Sequence, residues 1–169
     1  MKNLKSIIAV VMCAAVVLGV LCMIPGVGTS ANAAGETTNL LADKNASFED
    51  YTVSGWTISA GVAQSKEEAY DASAWSLKIN KNGATALSEK LAVTGGSYYA
   101  VSAQTMGAAG KITVRFYDAN DAELTADAVS VDAAAAAAWA KTEKVFAAPA
   151  TAAKAAVELS ATSDAAVYF

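Results

Sequence analysis

The feature that most constrains the fold is a series of short segments in which apolar and polar residues alternate. In the clearest segment, KITVRFYD, the side chains of Ile112, Val114 and Phe116 fall on one face of an extended chain and the intervening side chains fall on the other. Gly, Asn and Asp interrupt such segments at intervals of roughly ten residues, and no long helical period competes with them. The pattern predicts an all-β sandwich or barrel.

Eleven segments carry this pattern or end at a turn signal that bounds a strand. The alanine-rich residues 133–138 differ, because they have high helix propensity but are too few to form a stable helix alone. We expect them to form a loop or one helical turn. Strands are predicted at residues 39–41, 47–48, 56–59, 75–80, 85–93, 98–106, 111–117, 128–131, 142–146, 155–161 and 165–169.

The amino terminus has the layout of a signal peptide. Lys2 and Lys5 precede an apolar run over residues 7–24, which Pro25 and Gly26 close. Small residues then occupy the positions that a signal peptidase recognises, so we expect a hydrophobic helix that is cleaved off as residues 1–33. A short linker would follow over residues 34–38, and the sandwich domain over residues 39–169.

This layout predicts a secreted or extracellular protein. The alternative is an uncleaved membrane anchor, because the apolar run is longer than the roughly 7–15 residues of an ordinary signal-peptide core. It lies near the lower limit of about 17 residues for a membrane span and just exceeds it. If the segment is cleaved, the protein would contact the membrane only during export.

Composition excludes several classes of function. Both cysteines, Cys13 and Cys22, lie in the apolar run, so the mature domain has neither a disulfide nor a cysteine nucleophile. The chain carries a net charge of −4, and removal of Lys2 and Lys5 makes the mature domain more acidic. Such a surface repels nucleic acid and anionic lipid, so no nucleic-acid partner is expected.

The chain also lacks the usual equipment of an enzyme. It has no histidine, which removes the common general base and the common zinc ligands. Glycoside hydrolysis needs only two carboxylates, but the acidic candidates Glu67, Glu68, Asp118 and Asp121 lie in polar loops or turns where solvated surface charges are usual. We therefore expect no catalytic activity.

The order of several segments resembles the carbohydrate-binding modules of families four, nine, sixteen and twenty-two. The resemblance covers residues 39–169 and implies a galactose-binding-like jelly roll, in which two antiparallel sheets form a β-sandwich. These families continue with one more strand, so residues 39–169 are expected to form a C-terminally truncated domain. The segments are NLLADKNASFED, GWTI, SAWSLKIN, VTGGSYYAVSAQT, ITVRFYDANDAEL, WAKTEKVFAAPA and AAVELSATSDAAVYF.

The resemblance implies a concave sheet face that binds a polysaccharide or oligosaccharide chain. Aromatic rings would stack on the apolar faces of sugars, and polar side chains would bond to sugar hydroxyls. Strand alternation places Gln104 on this face, and it would allow Arg115 and Tyr117 to line the same face. Trp75 and Trp139 are expected to close the core instead. The predicted carbohydrate-binding residues are Trp56, Tyr98, Gln104, Arg115 and Tyr117.

The resemblance also implies one structural calcium ion. Glu49 and Asp50 match the first half of the family's site, near the first strand, whereas the aspartate that supplies the second half would follow Phe169. Calcium takes six to eight oxygen ligands, so these two residues would hold only part of its coordination shell.

The sequence leads to one principal functional hypothesis and two alternatives. The principal hypothesis is a secreted, non-catalytic carbohydrate-binding module that assists glycoside hydrolysis. The first alternative is a structural or adhesive β-sandwich of the cell envelope that binds no sugar, which the alanine-rich groove positions such as Ala100 favour. The second is the N-terminal fragment of a multidomain glycoside hydrolase.

Overall fold

A computed structural model describes residues 13–14, 38–50, 53–71 and 73–169 of the chain. The predicted signal peptide and linker lie almost entirely outside these residues. Within these two segments the structure describes only Cys13–Ala14, which form a short strand, and residue 38. Within the described part of the chain, no helix is long and apolar enough to cross a membrane.

The described residues form two antiparallel sheets, as the all-β prediction requires. Sheet A consists of β1 (Cys13–Ala14), β3 (Val62–Ser65), β4 (Ser76–Ile79), β7 (Tyr98–Gly107), β10 (Ala136–Ala147) and β12 (Val167–Tyr168). Sheet B consists of β2 (Trp56–Ile58), β5 (Thr85–Ser88), β6 (Leu91–Ala92), β8 (Gly110–Tyr117), β9 (Val129–Ala133) and β11 (Lys154–Ala161). One short 3-10 helix spans Thr125–Asp127.

One hydrophobic core joins the two sheets. The predicted alternation in β8 is confirmed, because Ile112, Val114 and Phe116 are completely buried. Sheet A contributes Val101 and Leu77 to the same core. Since one face of each strand packs inward, the opposite faces of both sheets are left to carry function.

Sheet A has the order β3, β4, β12, β7, β1, and β10 pairs with the other side of β7. β12 reaches β7 through the pair Val167 and Gly107. A side chain at Gly107 would place its Cβ 2.5 Å from the carbonyl oxygen of Ala166, and the backbone φ there is +91°. Glycine is therefore the residue that allows β12 to lie against the end of β7.

The N-terminal strands predicted at residues 39–41 and 47–48 are wrong, because the chain turns there. The main-chain N–H of Leu41 donates to the side-chain oxygen of Asn39, which is a local bond that competes with strand pairing. Phe48 has a φ of +56°, which is incompatible with an extended chain. The short strand β3 follows Gly61 and was not predicted.

The alanine-rich residues 133–138 form no helical turn, and the expected loop is confined to residues 134–135. Ala133 ends β9 in sheet B, and Ala136 begins β10 in sheet A opposite Gly107. Only two residues connect the strands. Pairing with neighbouring strands overrides the helix propensity of alanine at this crossover.

Candidate functional site

The outer face of sheet A is the surface that turns away from the core on β7. Tyr99, Val101 and Ala103 point into the core, so the alternate residues of β7 point outward. Tyr98, at the start of β7, is 51% exposed. Gln104 is half-buried on the same face. The structure thus brings these two predicted residues onto one surface.

Strand β10 extends this face on one side. Residues directly opposite each other in an antiparallel pair share a face, and Lys141 lies opposite Gln104. The Lys141 ammonium donates to a carboxylate oxygen of Glu143 at 2.6 Å. Val145 follows on the same face and is 50% exposed. The exposed Tyr98 and Val145 therefore border a strip of polar side chains.

On the other side, a three-residue polar cluster occupies the same face. Tyr168 lies opposite both Met106 of β7 and Lys78 of β4. One carboxylate oxygen of Glu67 accepts hydrogen bonds from Lys78 Nζ at 2.5 Å and from the Tyr168 hydroxyl at 2.8 Å. The hydrogen bond from Lys78, followed by that from Tyr168, lowers the pKa of Glu67.

The two partners of Glu67 are shifted in the opposite direction. The hydrogen bond to Glu67 raises the pKa of Lys78. Burial, followed by the bond to Glu67, raises the pKa of Tyr168. The cluster therefore keeps one positive and one negative charge, and its tyrosine remains neutral, across the ordinary pH range.

The loop between β3 and β4, described at residues 66–71 and 73–75, crosses the outer face of sheet A. It leaves β3 after Ser65, whose hydroxyl accepts the N–H of Glu67, and it returns to Ser76, whose hydroxyl donates to the carbonyl of Glu68. Tyr70 contacts Trp139 of β10 with a ring-centroid distance of 5.8 Å. Since β3 and β10 are at opposite sides of the sheet, the loop forms a wall across the Met106 end of β7.

Glu49 fixes the end of this loop. Its two carboxylate oxygens accept the main-chain N–H groups of Ala74 and Trp75, each at 3.1 Å. The carbonyl oxygens of Phe48 and Asp50 both accept hydrogen bonds from the side-chain amide of Gln64.

The residues around Glu49 do not fit a calcium site in this arrangement. Both oxygens of Glu49 and the nearby carbonyl oxygens are already engaged as acceptors. Within the described residues, no three acidic or cysteine side chains cluster closely enough to hold a metal ion. Glu49 joins the turn before β2 to the loop wall, and the main chain of Asp50 bonds to Gln64 of β3. Whether Glu49 and Asp50 bind calcium stays a prediction.

Arg115 and Tyr117 lie on the outer face of sheet B, not beside Gln104. Their predicted place in one groove with Gln104 is wrong, because β8 and β7 belong to different sheets. Arg115 is bound on both sides by carboxylates, those of Glu123 at 3.1 Å and of Glu158. Desolvation is the largest single effect on the pKa of Arg115, and it lowers that pKa. The attraction and hydrogen bonds to Glu158 and Glu123 together exceed it, so the net result is a raised pKa.

Tyr117 offers no free ring on that face. It is only 6% exposed, and Lys90 Nζ lies 3.9 Å from the centre of its ring. Asp121 accepts hydrogen bonds from Lys90 and Lys154, at 3.0 and 2.9 Å. The outer face of sheet B is thus a network of ion pairs in which the charged groups are matched within the chain.

Trp56 also lies apart from Tyr98 and Gln104. It begins β2 in sheet B, is only 8% exposed, and contacts Phe48 with a ring-centroid distance of 5.3 Å. Its side chain belongs to the core. Whether Trp56, Arg115 and Tyr117 contact sugar stays a prediction, but they share no surface with the other two candidates.

Trp139 and Tyr70 were missed as site residues. Trp139 was expected to close the core, yet it contacts the loop that crosses the outer face. The alternation of Lys141, Glu143 and Val145 gave no signal for Trp139, because the register of β10 shifts between Ala136 and Ala140. No local pattern marked Tyr70, since its position depends on how the loop folds back over the sheet.

Comparison with known proteins gives a consistent result for the fold. No family model matches the sequence, and no curated protein matches it. Among solved structures, "Family 16 Carbohydrate Binding Module-2" has a TM-score of 0.56 and 20% identity, covering 77% of this chain and 94% of that one. The CBM22-1 xylan-binding domain from Paenibacillus barcinonensis Xyn10C has a TM-score of 0.52 and 20% identity, covering 72% and 85%.

A third similar structure belongs to a larger protein. The enzymatically active domain of bacteriophage CBA120 tailspike protein 4 has a TM-score of 0.59 and 18% identity over 77% of this chain. The present chain spans only 20% of that tailspike chain. At such identities the likeness establishes the fold alone. The chain therefore has the two-sheet β-sandwich fold found in carbohydrate-binding modules, which confirms the resemblance expected from its sequence.

Proposed function

We propose that this protein is a non-catalytic carbohydrate-binding module that holds a polysaccharide on the outer face of sheet A. The observation that carries the proposal is the combination of the exposed Tyr98 ring and the polar Gln104 on one face of β7. Sugar rings need an apolar surface for their C–H faces and hydrogen-bonding groups for their hydroxyls. This face supplies both.

The loop wall gives the proposed site one closed end. Tyr70 and Trp139 stand across the Met106 end of β7, while Tyr98 lies at the other end. Between these two aromatic ends, a bound chain would meet Gln104 of β7 and the exposed Lys141 and Glu143 of β10. The solved carbohydrate-binding modules of similar fold, one of which is described as xylan-binding, support a polysaccharide as the class of ligand.

We propose that binding involves no chemistry. Glu67 has a lowered pKa and is bonded to Lys78 and Tyr168, so it is unsuited to act as a general acid near neutral pH. Glu158, on the opposite sheet, is also unsuited to act as a general acid, because its carboxylate forms an ion pair with Arg115. A role beside a glycoside hydrolase is consistent with a module that only holds the polymer.

The test is affinity electrophoresis of the purified protein through gels that contain xylan, β-glucan, soluble cellulose, mannan or pectin, with and without calcium. Retardation by at least one polymer is expected. Calcium should make little difference, because Glu49 has no cluster of further acidic side chains around it among the described residues. A folded protein that migrates unchanged in every gel would contradict the proposal and favour the structural or adhesive alternative.

We also propose that the protein acts outside the cell. The supporting feature is the sequence of Lys2, Lys5, the apolar run over residues 7–24 and the small residues before Ala34. Expression of the full chain in a bacterium, followed by N-terminal sequencing of the exported protein, tests this directly. A mature chain that begins at Ala34 is expected, whereas retention of the full-length chain in the membrane would identify an anchor.

A further inference from the structure

Strand β10 has an unusual amount of unpaired backbone. It spans Ala136–Ala147, whereas a typical strand has about five or six residues. One side pairs with β7, and within the described part of the chain no strand pairs with the other side. Most of its side chains are exposed. A long open edge of this kind either is protected or receives another strand.

The charges of β10 are self-complementary in one antiparallel register. If two copies pair about a two-fold axis at Thr142, Lys141 of each copy lies opposite Glu143 of the other. Both side chains already lie on the outer face, with 53% and 46% of their side-chain surfaces exposed. Opposite charges and paired threonines directly across two strands are both stabilising.

The neighbouring registers that keep the same face outward are unfavourable. A shift of two positions in one direction places Lys141 opposite Lys141 of the other copy. The same shift in the other direction places Glu143 opposite Glu143 of the other copy. Like charges at directly opposed positions are destabilising. The alternation of faces excludes single-residue shifts unless one sheet is inverted. An inverted sheet would place Lys141 opposite Lys144.

We propose that β10 pairs with β10 of a second copy about Thr142, forming a symmetric dimer with a continuous sheet. The two-fold axis is then perpendicular to the sheet, so both outer faces lie on the same side. The regular part of β10 extends the match, since Lys144 of one copy lies opposite Ala140 of the other and brings no like charges together. The dimer would set two polysaccharide-binding faces side by side, and a polymer that reaches both would bind with increased avidity.

Sedimentation equilibrium of the purified protein at concentrations up to about 1 mM tests this inference without any sugar. The parent is expected to form a dimer. Lys141→Glu and Glu143→Lys should each raise the dimer dissociation constant at least about ten-fold, because two attractive pairs become repulsive. The double variant K141E/E143K should restore dimerisation, since opposite charges again face each other.

Lys144→Glu is the matched control, because it changes the net charge by the same amount as Lys141→Glu. In the proposed register Lys144 lies opposite Ala140, so this variant should dimerise within about two-fold of the parent. In the inverted register it would dimerise more strongly. Circular dichroism should show that all variants keep their strands.

Three results would overturn the dimer. They are a monomeric parent at every concentration, single variants that dimerise as the parent does, and a double variant that stays as weak as the single ones. None of them depends on whether the protein binds a polysaccharide. Failure of the dimer and failure of the proposed function are therefore distinguishable.

Discussion

The ring of Tyr70 meets the ring of Trp139 nearly edge to face, at 72° and 5.8 Å between centroids. This contact joins the loop between β3 and β4 to the edge strand β10 at the far side of the sheet. The contact therefore holds the tip of the loop wall against β10. Glu49 holds the base of the loop through the N–H groups of Ala74 and Trp75.

Removal of this contact should loosen the loop without unfolding the sandwich. We expect Trp139→Ala to lose the edge-to-face contribution of about 0.5–1.5 kcal/mol and to speed amide hydrogen exchange in residues 66–75. Tyr70→Phe keeps both rings and is the control. Hydrogen exchange followed by mass spectrometry measures the effect, and unchanged protection of the loop in Trp139→Ala would contradict the described wall.

The Glu67 cluster predicts a dependence of stability on pH. The folded pKa of Glu67 is lowered from its ordinary value of 4.5, so its stabilising contribution is full above 4.5 and is lost as the pH falls through the lowered pKa. The pKa of Lys78 is raised from 10.5, so the contribution of Lys78 is full below 10.5 and is lost as the pH rises through the raised pKa.

Glu67→Gln isolates this effect. The melting temperature of the variant should lie below that of the parent between these limits, and the difference should shrink as the solution becomes more acidic than pH 4.5. Glu68→Gln, a neighbouring substitution on the same loop, is the control for a general loss of charge. A difference that stays constant down to the most acidic folded conditions would show that the Glu67 carboxylate does not hold the cluster.

The hydrogen bonds of Glu49 to the base of the loop predict that its carboxylate stabilises the fold. Since both of its oxygens accept backbone N–H groups, Glu49→Gln should lower the free energy of unfolding by about 1–3 kcal/mol. Asp50→Asn is the control, because the bonds of Asp50 described here are made by its main chain. Urea denaturation measures both variants.

Calcium itself should not alter the stability of the parent. The melting temperature is expected to be the same in a chelator and in excess calcium, because within the described residues no three acidic side chains lie close enough together to hold the ion. A clear rise in the melting temperature with calcium concentration would mean that these groups rearrange to form the ion site that the sequence resemblance implied.

The strands that alternate strongly were predictable from the sequence. Ile112, Val114 and Phe116 carry enough apolar pattern to fix the inner face of β8, and Tyr98 and Gln104 follow by the same rule in β7. The choice of sheet was not predictable from that pattern. Arg115 has the alternation of an outward residue, but only long-range pairing determines that β8 lies across the core from β7.

The remaining errors have local physical causes. Asn39 forms a turn through its side chain, which the apolar pattern around Leu41 does not reveal. At the crossover near Ala136, strand pairing with Gly107 outweighs the helix propensity of the alanines. Trp139 sits where the β10 register shifts, so neither its environment nor its contact with Tyr70 could be derived from alternation alone.

The most direct test of the proposed site compares variants of the two outer faces in gels that contain the polymer that retards the parent. We expect Tyr98→Ala and Gln104→Ala each to abolish most of the retardation, because they remove the exposed ring and the central polar group of sheet A. Arg115→Ala and Tyr117→Phe should bind as the parent does, even if Arg115→Ala is less stable. Loss of binding in the sheet B variants, with unchanged binding in the sheet A variants, would contradict the account and place the site on the opposite face.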